Sequence, residues 1–230
     1  MKVDGIEVGD TNKSIYEYKG RDLKSLNIEE WLQFAKANKE FGEPGIAYDE
    51  LRAIHEGIEL LGNRPLTILE TGMCFGTTTR YFLVRKLKYG GEVNSVESRI
   101  RPLFKKAMTD LGLWQELNVL EGNSMKVPWN KGIDVLFIDS EHALSDALGE
   151  YMRYRVFLNN NAIVGFHDAD ACYGVSRAIE IITGELDSLK LVSRSTGQAG
   201  FGLKVFQLDA LNVVQNRIGR QKRKEKENAG

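Results

Sequence analysis

Ile68-Leu-Glu-Thr-Gly-Met-Cys-Phe-Gly-Thr-Thr-Thr79 is the stretch on which the fold of this chain turns. A short apolar run, Leu66 to Leu69, ends in the acidic Glu70 and is followed by Gly72 and Gly76 and then by threonines able to open a helix. A strand that stops at Glu70 and turns through glycines leaves bare backbone where a ligand can approach. The helix after it offers free N–H groups at its N-terminus, suited to an anionic group such as a carboxylate. The spacing is Glu70-x-Gly72-x-x-x-Gly76. It lacks the G-x-G-x-x-G of a dinucleotide loop and the G-K-[ST] of a triphosphate loop.

Outward from that loop, helical and strand patterns alternate. Asn27 with Glu30 forms a capping box ahead of Ile28, Trp31, Leu32 and Ala35, and Gly42 to Gly45 breaks that helix. Leu51, Ile54, Ile58 and Leu61 mark a second helix closed by Gly62 and Asn63. After the loop, the pattern predicts a helix from Thr77 to Lys88, a strand from Glu92 to Val96 ending at Glu97, and a helix carrying Ile100, Phe104 and Leu111. Leu117 to Leu120 reads as a strand, and the near-continuous apolar run Ile133 to Ile138 as one buried on both faces. Leu144, Leu148, Tyr151 and Leu158 trace a helix, Ala162 to Phe166 a strand, and Val175 to Ile182 a helix. Leu189 to Ser193 and Leu203 to Leu208 read as a closing hairpin.

Short strands alternating with helices call for an α/β fold, a doubly wound and mostly parallel sheet of seven strands with an antiparallel C-terminal hairpin. The expected organisation is a helical extension over residues 1–62, a core over residues 63–209 and a charged tail over residues 210–230. Ligands on such a sheet bind beyond the carboxyl ends of the strands. Those ends carry Glu70, Glu97, Asn123 with Ser124, Asp139, and His167 with Asp168. Glu97, a little over twenty residues past the loop, is placed to accept hydrogen bonds from both ribose hydroxyls of a nucleoside.

With 230 residues and a net charge of −1, the chain is long enough for a sizeable core and has no global bias toward nucleic acid. Two cysteines, Cys74 and Cys172, give no disulfide framework, which fits a reducing cytoplasmic setting. No apolar run approaches a membrane span, and the N-terminus lacks the apolar core of a signal peptide. His55 is expected to be structural, Met73 and Cys74 to pack beneath the loop, and Arg80, Arg99 and Arg101 to lie by default on solvated helix faces. Trp31, Phe34, Phe41 and Tyr48 fit either core packing or a lid and homodimer contact.

Taken together, residues 68–79, 94–97, 121–124, 134–142 and 162–168 resemble the successive motifs of class I S-adenosylmethionine-dependent methyltransferases, with a Rossmann-like fold. Val135-Leu-Phe-Ile-Asp139-Ser-Glu-His142 and Ile163-Val-Gly-Phe-His167-Asp168 resemble most the small-molecule O-methyltransferases of the macrocin type. Catechol-type enzymes follow their second aspartate with Asn or Asp, where this chain has Ala169. The resemblance implies a cofactor pocket drawn from Glu70, Gly72, Met73, Gly76, Thr77, Thr78, Glu97, Ser98, Asn123, Ser124 and Asp139. It implies Mg²⁺ on Asp139, His167 and Asp168, and catalysis by His142, Asp139 and His167 on a hydroxyl of a small molecule or sugar. Two other readings use the same residues. His142, His167 and a carboxylate compose a two-histidine, one-carboxylate iron set, and a non-catalytic nucleoside-binding module would keep the pocket alone.

Overall fold

The computed structural model describes residues 2–3, 6–7, 13–37, 39–41, 46–186, 188–196 and 201–209. The Gly42–Gly45 break, most of the turn after Ser195 and the charged tail over residues 210–230 lie outside the described residues.

A two-residue ladder pairs β1 (Lys2–Val3) with β2 (Ile6–Glu7). The helices α1 (Ile28–Lys36) and α2 (Tyr48–Glu59) follow, and then the alternating core begins. It runs β3 (Leu66–Thr71), α3 (Thr77–Tyr89), β4 (Gly91–Glu97), α4 (Pro102–Asp110), β5 (Leu117–Glu121), β6 (Ile133–Ile138) and α5 (Leu144–Tyr154). It closes with β7 (Leu158–His167), α6 (Tyr173–Ile181), β8 (Leu189–Ser195) and β9 (Leu203–Leu208). The main sheet has seven strands in the order β5-β4-β3-β6-β7-β9-β8, the first five parallel and β9 antiparallel to both of its neighbours.

The period-two alternation of a strand sends neighbouring residues to opposite faces. Ile68, Val135, Phe137, Ile163 and Val205 enter the core that also holds residues of α1 to α4. Leu69, Leu136, Ile138, Val164 and Phe206 enter the core with α5 and α6. Burial on both faces is why Ile133 to Ile138 is apolar at nearly every position, as the sequence predicts.

The N-terminal extension shares the first core. Trp31 and Phe34 are fully buried, the Trp31 indole stacks on Tyr81 of α3 at 4.8 Å, and its Nε1 donates to the Tyr81 carbonyl at 2.9 Å. These aromatics are therefore core packing between α1 and α3. The Asn27–Glu30 capping box forms as expected, with Glu30 N–H donating to Asn27 Oδ1 at 3.0 Å.

One boundary differs from the sequence reading. Leu158 continues the helical phase of Leu144, Leu148 and Tyr151, but α5 ends at Tyr154 and a 3₁₀ turn over Arg155–Phe157 intervenes. Leu158 then opens β7 by pairing with Ile133, and a register shift follows before Val135 meets Ile163. The shift accommodates the polar run of Asn159, Asn160 and Asn161, the last at φ 63°. Tertiary pairing overrides the helical spacing there.

Candidate active site

The strand order reverses between β3 and β6, and ligand clefts on open α/β sheets form at such a switch point. Beyond the strand ends the chain stays zipped. Gly72 N–H donates to the Val96 carbonyl, Asp139 N–H to that of Thr71, and Gly122 N–H to that of Glu97, each at 2.9 Å. Gly72, at φ 83°, lies against the backbone after β6, where a Cβ would stand 2.0 Å from the Asp139 carbonyl oxygen. Gly76 caps α3 in the left-handed region and packs against the Phe104 ring.

These turns leave a cleft of about 240 Å³. Six residues expected to contact a cofactor line it: Gly72, Glu97, Ser98, Asn123, Ser124 and Asp139. Cys74, Val96, Arg101, Gly122, Ser140 and Glu141 complete the wall. The Glu97 carboxylate in that wall accepts four hydrogen bonds. Oε2 accepts the N–H groups of Met73 and Cys74 at 3.0 and 2.9 Å, and Oε1 accepts from Arg99 N–H at 3.1 Å and Ser98 Oγ at 3.2 Å.

Glu70, Met73, Thr77 and Thr78 are buried behind that wall and outside the cleft lining. The Glu70 carboxylate turns inward and accepts from Thr79 Oγ1 at 2.6 Å and Ser95 Oγ at 2.7 Å, tying β3, β4 and the first turn of α3 together. Burial pushes its pKa up to about 8. A second buried carboxylate, Glu150 of α5, accepts from Thr71 Oγ1 at 2.8 Å, from Ser140 Oγ at 2.5 Å and from Ser124 Oγ. Three strand-end segments are thus fastened to one side chain.

At the adjoining ends of β6 and β7 lies a compact cluster. His142 Nε2 contacts Asp168 Oδ2 at 2.8 Å, and His167 Nδ1 stands 2.9 Å from Asp168 Oδ2 and 3.0 Å from Asp139 Oδ1. His167 Nε2 faces Glu50 Oε2 at 3.4 Å. Asp168 holds φ 56°, an uncommon conformation for a residue other than glycine and one that aspartate tolerates better than most. Burial works against charge on His167, yet Asp139, Asp168 and Glu50 outweigh it and push its pKa up to about 12. Burial also raises the Asp139 carboxyl above its ordinary range, against the pull of His167. For Asp168 burial is outweighed by the two imidazoles, which hold its carboxyl below the usual range.

Ligand atoms of Asp139, His142 and Asp168 all lie within 4.8 Å of one another, close enough to share one cation. His167 stands beside this set with both ring nitrogens facing carboxylates. Two hard carboxylate oxygens and one imidazole suit a small divalent ion that keeps several waters.

Two sequence expectations need correction, and two buried carboxylates were not foreseen. Arg80 does not lie on a solvated face: it is fully buried, with Nε and Nη2 on the Ala35 carbonyl at 3.2 and 2.6 Å and Nη1 on Phe75 O at 2.8 Å. It closes the end of α1 over the glycine loop, because α1 covers that side of α3. Cys74 is exposed in the cleft wall at φ 47°, where packing beneath the loop was expected. Glu50 and Glu150 escaped notice because a glutamate in a helix reads as surface. A capping box was the available signal at Glu50, whose Oε2 accepts Ala47 N–H at 2.7 Å. His55 is structural as expected, its Nδ1 3.0 Å from the Tyr81 hydroxyl.

Residues 69–169 match the family model described as a methyltransferase domain. Structural neighbours share the fold at low identity. An O-methyltransferase from Bacillus cereus in complex with SAH aligns at TM-score 0.60 and 15% identity, over 85% of this chain and all of the other. TomG from Streptomyces achromogenes, an O-methyltransferase of tomaymycin synthesis in complex with SAM, aligns at 0.58 and 17%, over 80% of this chain and 92% of its own. A putative caffeoyl-CoA O-methyltransferase from Staphylococcus aureus aligns at 0.57 and 18%, over 80% and 93%. No curated protein matches in sequence. Residues 69–169 thus resemble a methyltransferase domain, and the fold is the one these O-methyltransferases share. Among the described residues, no helix is long and apolar enough to cross a membrane.

Proposed function

We propose that the chain is an O-methyltransferase acting on a hydroxyl of a small molecule or sugar, assisted by a divalent cation. The observation that carries this reading is that Asp139 belongs to both halves of the site. It lines the cofactor cleft and also joins the cluster with His142 and Asp168. A methyl donor bound in that cleft would have its reactive end beside groups able to activate a hydroxyl.

The donor supplies an electrophilic sulfonium methyl. The Glu97 carboxylate, at the end of β4, is suited to the two ribose hydroxyls, and Asn123 and Ser124 to the base edge. The turn from Gly72 into the N-terminus of α3 suits the methionine carboxylate. Two structural neighbours hold SAH or SAM, which supports the same occupant here.

Asp139, His142 and Asp168 would hold the cation, whose charge lowers the pKa of a nearby hydroxyl. His167 then stays a bridge between the two aspartates. A second reading, favoured by the 2.8 Å contact of His142 Nε2 with Asp168, makes His142 a general base oriented by that carboxylate. The His142 side chain is 49% exposed, so the imidazole can be reached from the solvent side.

Thermal-shift titration with S-adenosylhomocysteine, with Mg²⁺ or with EDTA, tests both readings. Stabilisation by the nucleoside that rises further with Mg²⁺ is expected. Stabilisation indifferent to cations leaves the general-base reading, and no stabilisation by the nucleoside removes the proposal.

A further inference from the structure

We propose that Glu50, from the N-terminal helix α2, is a positioning residue for the active-site imidazole of His167. The inference rests on the assignment of the Asp139–Asp168 cluster to the reaction, but its geometry stands alone.

Glu50 is 1% exposed and reaches from α2 to His167. Oε2 is held by Ala47 N–H at 2.7 Å and faces His167 Nε2 at 3.4 Å. Oε1 is buried without a hydrogen-bond partner among the described residues. A helix that needed only a cap would not bury a carboxylate in this way, because an unmatched buried polar atom is destabilising. Capping boxes at helix N-termini are normally solvated, as the exposed one at Asn27 and Glu30 is.

The placement of Glu50 follows from how α2 docks. Gly57 lies seven residues on, two turns along the same face. A Cβ there would stand 2.5 Å from Val205 Cγ1 of β9, so α2 approaches the sheet more closely than an alanine would allow. That approach brings the first turn of α2 over the end of β7, where His167 sits. The ring then has no free orientation. Nδ1 lies between Asp139 and Asp168 at 3.0 and 2.9 Å, Nε2 points to Glu50, and Phe201 stacks beside it with 6.4 Å between ring centroids. A ring flip would change which atoms face the aspartates, and Glu50 opposes it from the far side. Through His167, the extension sets the geometry of the two aspartates.

The test uses the full chain. Its three histidines make the imidazole nitrogen NMR spectrum simple to assign. Glu50→Gln is expected to move both His167 ring nitrogens and leave those of His55 in place, and Glu50→Asp, with the charge kept on a shorter arm, to restore the shifts in part. With an acceptor found in a hydroxyl panel, Glu50→Gln should lower kcat by about tenfold to a hundredfold and leave the KM for S-adenosylmethionine within about twofold. His167 nitrogens unmoved in both variants would overturn the proposal; if the Gln variant does not fold, the Asp variant decides. Failure of the wild-type chain to bind S-adenosylhomocysteine would instead sink the methyltransferase site and leave the imidazole result intact.

Discussion

Gly72 and Asp139 meet backbone to backbone, so that a Cβ on the glycine would stand 2.0 Å from the aspartate's carbonyl oxygen. The contact joins the glycine loop after β3 to the segment after β6 at the switch point of the sheet. Gly72 also holds φ 83°, which an L side chain adopts only under strain. Gly72→Ala therefore meets two penalties, overpacking of about 1–3 kcal/mol and a backbone cost of about 1 kcal/mol. The expected result is a lower Tm by calorimetry together with lost S-adenosylhomocysteine binding. A variant with wild-type Tm and affinity would show that the two segments separate freely.

Glu97 accepts four donors, three of them backbone N–H groups from two segments. A carboxylate so held is preorganised, and hydrogen bonds to charged groups are worth about 1.5–3 kcal/mol. Glu97→Ala should weaken S-adenosylhomocysteine binding by roughly tenfold to a hundredfold in isothermal titration calorimetry. Affinity equal to that of wild type would move the ribose end elsewhere.

Glu70 gives a pH dependence with a definite sign. Its carboxyl, pushed up to about 8 by burial, binds a proton more tightly folded than unfolded. Its contribution to stability is then complete below the unfolded value of 4.5 and is lost as pH rises through about 8. Thermal melts of wild type across that window should carry this loss, and Glu70→Gln should remove it. Parallel pH profiles for the two proteins would mean that Glu70 is ionised in the fold.

The sheet was legible in the sequence because β3, β6 and the second half of β7 are short apolar runs that end in a polar residue at the ligand edge. Ile133 to Ile138 with Asp139 is the clearest instance. His142 and Asp168 were legible as chemistry because imidazole and carboxylate at strand ends have few structural uses. Arg80, Glu50 and Glu150 were not, since a charged residue at a helical position looks solvated until another element covers it. In α3 the covering element is α1, separated by some fifty residues between Trp31 and Tyr81. The metal-ligand geometry was half legible: spacing suggests Asp139 and Asp168, but which of two histidines joins them depends on the direction of each ring.

That choice of histidine separates two variants. His142 pairs with Asp168 and is half open to solvent, whereas His167 is enclosed by Asp139, Asp168 and Glu50. If His142 holds the cation or takes the proton, His142→Ala should lower methyl transfer to an accepting hydroxyl by about a hundredfold or more. S-adenosylhomocysteine affinity and Tm should hardly change, because an exposed side chain contributes little to the fold. His167→Ala should lower turnover too, but with a fall in Tm, since it strips a buried imidazole from two aspartates and leaves their charges facing each other. Turnover and calorimetry on both variants, with and without Mg²⁺, read the distinction. A His142→Ala enzyme as active as wild type would shift the chemistry to Asp139 and the His167 bridge.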